Sequence, residues 1–224
     1  IVLGVTNMAE GGLWMEARNP LYGRTANPWD PRRTAGGSSG GCGALVASGA
    51  VPFSVGADIG GSIRIPAAFC GTLGHKPSGR MVPTTGHLPR PHGLANALLC
   101  LGPIARRGED LLPLLRIMAG PDGLDPVARA FPLPDQDLTL DPRELHVYPI
   151  EDHLGVAIWP EARRAVRRAA KALAALGATV HPPDALTLGN GVLPWSNALM
   201  APGGARYREI LGDGQSIPLA REVL

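Results

Sequence analysis

Lysine is nearly absent from this sequence: Lys76 and Lys171 are the two in 224 residues, and every other basic side chain is an arginine. Neither sign of charge is in excess, with 21 Lys and Arg against 19 Asp and Glu and a net charge of +2. That balance excludes the electrostatic footprint of a nucleic-acid binder. No run approaches the roughly 18 to 20 apolar residues needed to cross a bilayer. Cysteine is scarce and scattered. Cys42, Cys70 and Cys100 form no Cys-x-x-Cys and have no histidine at ligand spacing, so neither a zinc site nor a disulfide framework is expected, and free buried thiols in a reducing compartment are. The opening Ile1-Val2-Leu3-Gly4 has no initiator Met and no signal-peptide pattern, and the chain stops at Leu224 inside a helical rhythm. It reads as an internal piece of a longer chain. What is plentiful is glycine, 30 residues, and proline, 23, beside 45% hydrophobic and 18% charged residues. Low hydropathy therefore does not mark the chain as disordered, many residues must sit in turns, and the length suffices for one domain with a buried core.

The first 35 residues carry the turn dipeptides Asn19-Pro20, Asn27-Pro28 and Asp30-Pro31 between short apolar pieces, which predicts an irregular segment packed over a core. A glycine loop from Gly36 to Gly43 leads into a helix of small residues through Gly49. Val51 to Gly56 predicts a buried strand running into Asp58, and Ile63 to Cys70 a short helix. Leu111, Leu112, Leu114, Leu115 and Met118 give a helical rhythm over 109–118, stopped by Gly120-Pro121. From Pro121 to Pro142 an exposed connection is expected. Leu145 to Pro183 predicts a strand, a helix opened by Pro160 and Glu161, and a second strand at Ala178-Thr179-Val180. That crossover makes the two strands parallel. Its helix has an apolar stripe of Ala162, Ala165, Val166, Ala169, Ala170 and Leu173, opposite an arginine face read as solvated surface. Beyond Leu186 the chain mixes Trp195, Met200, Gly203-Gly204 and Leu211-Gly212-Asp213-Gly214. The whole reads as α/β.

Two glycine-serine clusters carry the chemistry: Gly36-Gly37-Ser38-Ser39-Gly40-Gly41, and Asp58-Ile59-Gly60-Gly61-Ser62-Ile63-Arg64. A serine hydroxyl is a weak nucleophile until a base removes its proton, and the tetrahedral intermediate it forms needs donors where the oxyanion develops. The Ile59-Gly60-Gly61-Ser62 main chain supplies successive N–H groups, since glycine lets the backbone approach closely and take positive φ. Asp58 and Arg64 flank this turn and are placed to pair across it. Gly36 to Gly40 also fits a Gly-x-Ser-x-Gly elbow, but residues 31–35 make no convincing preceding strand. The phosphate-binding patterns Gly-x-x-x-x-Gly-Lys-Ser/Thr and Gly-x-Gly-x-x-Gly are both missing, which argues against nucleotides. His75, His87, His92, His146, His153 and His181 lie in turn-rich or strand-edge contexts, so a Ser-His-Asp triad is the poorer reading.

The run from Gly36 to Gly41, through Gly56-Ala57-Asp58-Ile59-Gly60-Gly61-Ser62-Ile63-Arg64-Ile65-Pro66, to Gly74-His75-Lys76-Pro77-Ser78-Gly79 resembles the signature of the amidase signature hydrolases. Thr6-Asn7-Met8 and the stretch from Asn19 to Trp29 resemble the family's approach to the serine loop. Ala67-Ala68-Phe69-Cys70-Gly71 and Leu211 to Gly214 are similar to the fatty acid amide hydrolases of the second type. Cys42 and Ala57 depart from that pattern, standing where an acidic and a hydroxyl residue are usual.

The resemblance implies an amidase signature fold, a mixed β-sheet core covered by α-helices and cut at both ends. It implies one partial domain, with a signature core over about 1–120 and a β-helix-β and C-terminal segment over about 143–224. Ser62 becomes the acyl-forming nucleophile, and Ser38, held by a cis peptide bond, the proton shuttle beside it. Ile59, Gly60, Gly61 and Ser62 become the oxyanion donors, with Ser39, Asp58 and Arg64 in support. The relay ends on a lysine expected several dozen residues before Ser38, outside this chain. Lys76 and Lys171 do not fit that role, so the 224-residue piece alone is expected to be inactive or nearly so. The implied substrate is a fatty acid amide, with no metal and no cofactor. The implied setting is intracellular, with membrane association through absent segments and with self-association left open. The alternatives are a small-amide amidase, the glutaminase-like component of an amidotransferase, and a scaffold that keeps the signature turns without the chemistry.

Overall fold

The structure, a computed structural model, describes residues 2–88, 95–134, 140–151 and 158–182, with 194, 195 and 197. His92, His153, Met200, Gly203-Gly204 and the Leu211 to Gly214 turn lie outside the described residues. The chain divides into two compact units, Ile1–Leu133 with Ala198–Leu224, and Pro134–Asn197.

The first unit opens on the irregular segment expected from its turn residues. Its regular pieces are a single 3-10 turn at Glu10–Gly12 and a hairpin of β1 (Arg18–Asn19) and β2 (Gly23–Arg24). Asn7 and Asn19 knit it together. Asn19 Nδ2 donates to Asn7 Oδ1 at 2.5 Å and to the Met8 carbonyl at 3.0 Å, while Asn7 Nδ2 donates to Thr25 Oγ1 at 3.0 Å.

The order that follows is α1 (Gly40–Ala47), β3 (Phe53–Asp58), α2 (Arg64–Cys70), β4 (Leu73–Gly74), α3 (Ala95–Leu98), β5 (Cys100–Ala105) and α4 (Leu111–Met118). Small residues let α1 and α2 approach: a Cβ on Gly43 would stand 3.0 Å from Pro66 Cβ. Gly71, at φ +71, closes α2 in the left-handed region that glycine adopts without steric cost. The predicted strand and helices are thus present, shifted by a few residues, but β3 is buried only toward its Gly56 and Asp58 end, with Phe53 and Val55 exposed. The helix over 109–118 is preceded by a separate 3-10 turn at Gly108–Asp110.

β5 is the strand that sequence patterning misses. It lies in the middle of an antiparallel sheet of order β3-β5-β4 and pairs with β3 from Phe53↔Ala105 to Asp58↔Cys100. Gly102 and Pro103 are poor strand formers by propensity. Here a glycine is required, because a Cβ at 102 would run into the His75 carbonyl oxygen. Pro103 keeps an acceptor in use, its carbonyl taking the His75 N–H at 3.0 Å. Cys42, Val46, Ile63 and Ile104 form one buried cluster, with Val51 against it. Met81, Val82 and Leu115 form a second, joined by Leu101, Met118 and Leu133. Leu133 belongs to the expected loop after Pro121, which is fastened down more firmly than an exposed connection. Asp125 Oδ2 accepts from Thr84 N at 2.7 Å and Thr84 Oγ1 at 3.0 Å, and Arg129 N donates to the Arg80 carbonyl.

In the second unit β6 (His146–Val147) and β7 (Thr179–Val180) pair in parallel, joined through α5 (Pro160–Ala175). Pro160 and Glu161 sit in the first helical turn, and Gly177, at φ +103, follows its end. The buried stripe is narrower than the periodicity suggests: Ala170 is buried, Val166 and Leu173 are half-buried, and Ala162, Ala165 and Ala169 are exposed. On the opposite face Arg167 pairs with Glu151 at 2.6 Å and Arg164 with Glu161 at 3.0 Å. No helix among the described residues is long and apolar enough to cross a membrane.

Candidate active site

Asp58 is the keystone of the second glycine-serine cluster. It ends β3 with no exposed surface, and its carboxylate faces back over the turn that leads to α2. Oδ1 accepts the Gly61 N–H at 2.7 Å and Arg64 Nη2 at 3.0 Å, while Oδ2 accepts Ile63 N at 3.1 Å, Arg64 N at 3.3 Å and Arg64 Nε at 3.0 Å. Burial works to raise this carboxyl, but the Arg64 guanidinium and the Gly61 and Ile63 N–H groups outweigh it. They hold Asp58 below its ordinary value. Arg64 in turn is raised by the Asp58 carboxylate. The pairing expected from the sequence is therefore bidentate, and it fixes the turn from both ends.

Ser62 follows Gly61, whose φ of +123 a side chain rarely adopts, and is half-buried just before α2. Of the four expected oxyanion donors, the Gly61 N–H is engaged by Asp58. The reason is physical: a turn this tight around a buried carboxylate directs some of its N–H groups inward to satisfy the charge. The N–H groups of Gly60 and Ser62 have no acceptor among the described residues. They are the donors that remain for a ligand oxygen.

The Ser38 loop meets this turn through a backbone hydrogen bond, Ser39 N–H to the Ser62 carbonyl at 3.2 Å. Ser39 Oγ reaches the outer edge of β3, accepting from Ala57 N at 3.2 Å and donating to the Ala57 carbonyl at 3.3 Å. Its hydroxyl thus satisfies the strand edge where residue 57 itself brings none. The Gly37-Ser38 peptide bond is cis, and Ser38 is buried, with 3% of its surface exposed. The approach segment holds the loop from the other side. Ala9 N donates to the Ser38 carbonyl at 3.1 Å, Ala17 N to Gly36 at 3.0 Å, and Gly41 N to Asn7 at 3.0 Å.

Gly37 makes this threading possible. A Cβ there would stand 2.5 Å from Glu16 N and 2.6 Å from the Trp14 carbonyl oxygen, both backbone atoms that cannot step aside. Gly37→Ala is expected to lower stability by about 3 kcal/mol, read as a shifted urea midpoint. A wild-type midpoint would mean that the approach segment is not packed against the loop.

Cys42 lines the core under the site, its Sγ 3.1 Å from Thr6 Oγ1 and 3.4 Å from the Val55 carbonyl oxygen. Lys76 Nζ contacts Cys100 Sγ at 3.1 Å. Burial pushes the His75 imidazole below its ordinary value. No histidine is hydrogen-bonded to Ser38 or Ser62 among the described residues. Asn7 and Asn19, which brace the approach to Ser38, carried no site role in the sequence. The signal at Asn19 was the Asn19-Pro20 turn, which does not tell a brace from an ordinary bend, and Asn7, followed by Met8, had no turn signal of its own.

The Amidase family profile matches residues 1–222. Fatty-acid amide hydrolase 2-B of Danio rerio is 40% identical over 97% of this chain and 42% of its own length. The human fatty-acid amide hydrolase 2 is 50% identical over 54% of this chain and 23% of its own length. A glutamyl-tRNA(Gln) amidotransferase component of Bacillus velezensis is 41% identical over 80% of this chain and 36% of its own length. The chain therefore spans less than half the length of the relatives it matches. Among solved structures, a 6-aminohexanoate cyclic dimer hydrolase superposes with a TM-score of 0.80 at 29% identity, covering 100% of this chain and 49% of that one. A fatty acid amide hydrolase does so with a TM-score of 0.80 at 25% identity, covering 97% of this chain and 39% of that one.

Proposed function

The chain belongs to the amidase family, and we propose that within the whole protein it carries the serine machinery of an amide hydrolase. The observation that carries this reading is the Ser39 N–H to Ser62 carbonyl hydrogen bond, which holds the two serine loops against each other. Ser62 Oγ attacks the amide carbonyl, and its proton passes to Ser38 Oγ and from there to the neutral amine of a lysine. The developing oxyanion draws on the Gly60 and Ser62 main-chain donors, the Gly61 N–H being held by Asp58. The C–N bond then breaks as the leaving nitrogen takes the proton back through Ser38. Water attacks the ester on Ser62, releasing the acid and restoring the hydroxyl. Lys76 is engaged with Cys100, and Lys171 is exposed on α5; neither is proposed as the base.

Ser38→Ala in the whole protein is expected to slow acylation about 1,000-fold while leaving the unfolding midpoint in place, measured by single-turnover hydrolysis. Wild-type acylation in that variant would eliminate the relay.

A fatty acid amide is the proposed substrate, supported by 40% identity to the Danio rerio fatty-acid amide hydrolase 2-B across 97% of the chain. With such a substrate the protein acts inside the cell at a membrane surface, through contacts made by other parts of the whole protein. The second reading, the glutaminase-like component of an amidotransferase, is supported by 41% identity to the Bacillus velezensis amidotransferase component across 80% of the chain. Competition between a long-chain primary amide and free glutamine separates them. Preference for the long-chain amide supports the first reading, and preference for glutamine overturns it in favour of the second.

A further inference from the structure

The second unit brings together two histidines that the serine site does not use. β6 and β7 pair with His146 opposite Thr179 and Val147 opposite Val180. The pairing continues one step beyond β7, where the His181 N–H donates to the Val147 carbonyl at 2.8 Å. Side chains alternate across a strand, so the two valines share one face while His146, Tyr148 and His181 share the other. On that face His146 Nδ1 lies 2.9 Å from His181 Nε2. The Tyr148 ring stacks on His181 with centroids 4.3 Å apart and planes 3° from parallel, which restricts the imidazole's rotamer. His146 is exposed and His181 half-buried, so solvent reaches the pair.

We infer that His146 Nδ1 and His181 Nε2 form a two-point chelate for a divalent transition-metal ion of the Cu(II) or Ni(II) type, with water completing the coordination. Metal–imidazole bonds are about 2.0 to 2.1 Å long, so two ligand nitrogens separated by 2.9 Å subtend about 90° at the ion. That is the angle between neighbouring ligands in square-planar or octahedral geometry, and it is narrower than the tetrahedral arrangement zinc prefers. Imidazole suits these ions, and copper stands highest in the affinity order. In the present contact one ring donates an N–H to the lone pair of the other. When metal enters, the donating ring changes tautomer and its proton moves to its second nitrogen through solvent. Each ring then presents one nitrogen lone pair to the ion. Among the described residues no group of three or more His, Cys, Asp or Glu side chains gathers, and in the inferred site water fills the other positions. The ring centroids lie 5.2 Å apart, so the two nitrogens face each other in line, and each ring turns by roughly 45° to aim its lone pair at an ion held at about 2.0 to 2.1 Å; the strand pairing keeps the two histidines at this spacing.

The test is titration of Cu(II) into the whole protein carrying no affinity tag, followed by electron paramagnetic resonance. One equivalent is expected to give a tetragonal spectrum split by two imidazole nitrogens. His146→Ala and His181→Ala should each lose that spectrum, and His87→Ala should retain it. A second measurement needs no variant: bound copper should slow modification of His146 and His181 by diethyl pyrocarbonate at least tenfold, located by peptide mass. Copper coupled to one nitrogen or none, copper binding that survives either alanine, or unchanged modification of both histidines would overturn the site.

Discussion

Ser62→Ala in the whole protein is expected to abolish covalent labelling by a serine-directed fluorophosphonate and to cut amide hydrolysis by about 10⁴-fold or more. The physical basis is the asymmetry between the two serines. Ser62 sits beside the Gly60 and Ser62 N–H groups that have no acceptor among the described residues, whereas Ser38 lies deeper, with its carbonyl taken by Ala9. A phosphonyl group needs a nucleophile for its phosphorus and donors for its oxygen, and the proposed nucleophile is the serine that stands beside those donors. Locating the adduct requires fragmentation as well as digestion. With lysine absent here and no arginine between Arg33 and Arg64, both serines fall in one tryptic peptide, residues 34–64. An adduct on Ser62 in the wild type and none in the variant is the expected pair of results. Undiminished labelling of the variant, or an adduct on Ser38, would reject Ser62 as the nucleophile.

What the sequence made legible follows from where its information is local. The helix at α1, the strand ending in Asp58 and the crossover through α5 each have a period or a stop signal of their own, and each is present within a few residues. The Asp58–Arg64 pairing was legible too, because a six-residue separation across two glycines leaves few ways to place a carboxylate and a guanidinium apart. β5 was not legible. Its Gly102 and Pro103 answer to the His75 backbone, a neighbour from a distant part of the sequence, and no window around residue 102 carries that information. The same holds for the engagement of the Gly61 N–H by Asp58. Counting glycines predicts available donors, but only the fold decides which of them the buried carboxylate takes. On α5 the period offers more apolar positions than the described residues cover.

Asp58→Asn is expected to lower stability by about 3 kcal/mol, because a buried carboxylate that serves three backbone N–H groups and a guanidinium is replaced by an amide with one accepting oxygen. The donors facing the new NH₂ lose their acceptor, and Arg64 loses its counter-charge. Arg64→Lys tests the pair from its solvent side. The Arg64 side chain is 55% exposed, so losing the fork while keeping the charge should cost only about 1 kcal/mol. The pH dependence separates the electrostatic part from packing. The Asp58 carboxyl is lower in the folded protein than its ordinary value, so its stabilising contribution is fully present above the ordinary carboxylate range. It is lost as pH falls through that lower folded value. Urea midpoints measured from neutral pH downward should therefore decline more steeply in the wild type than in Asp58→Asn, the two curves converging in acid. Hydrolysis should fall about 100-fold in Asp58→Asn even where it is folded, since a shift of about 1 Å in the Gly60 and Ser62 donors is enough to misplace the oxyanion contacts. A variant with the wild-type midpoint, the wild-type acid limb and full turnover would show that the turn holds Ser62 without its carboxylate.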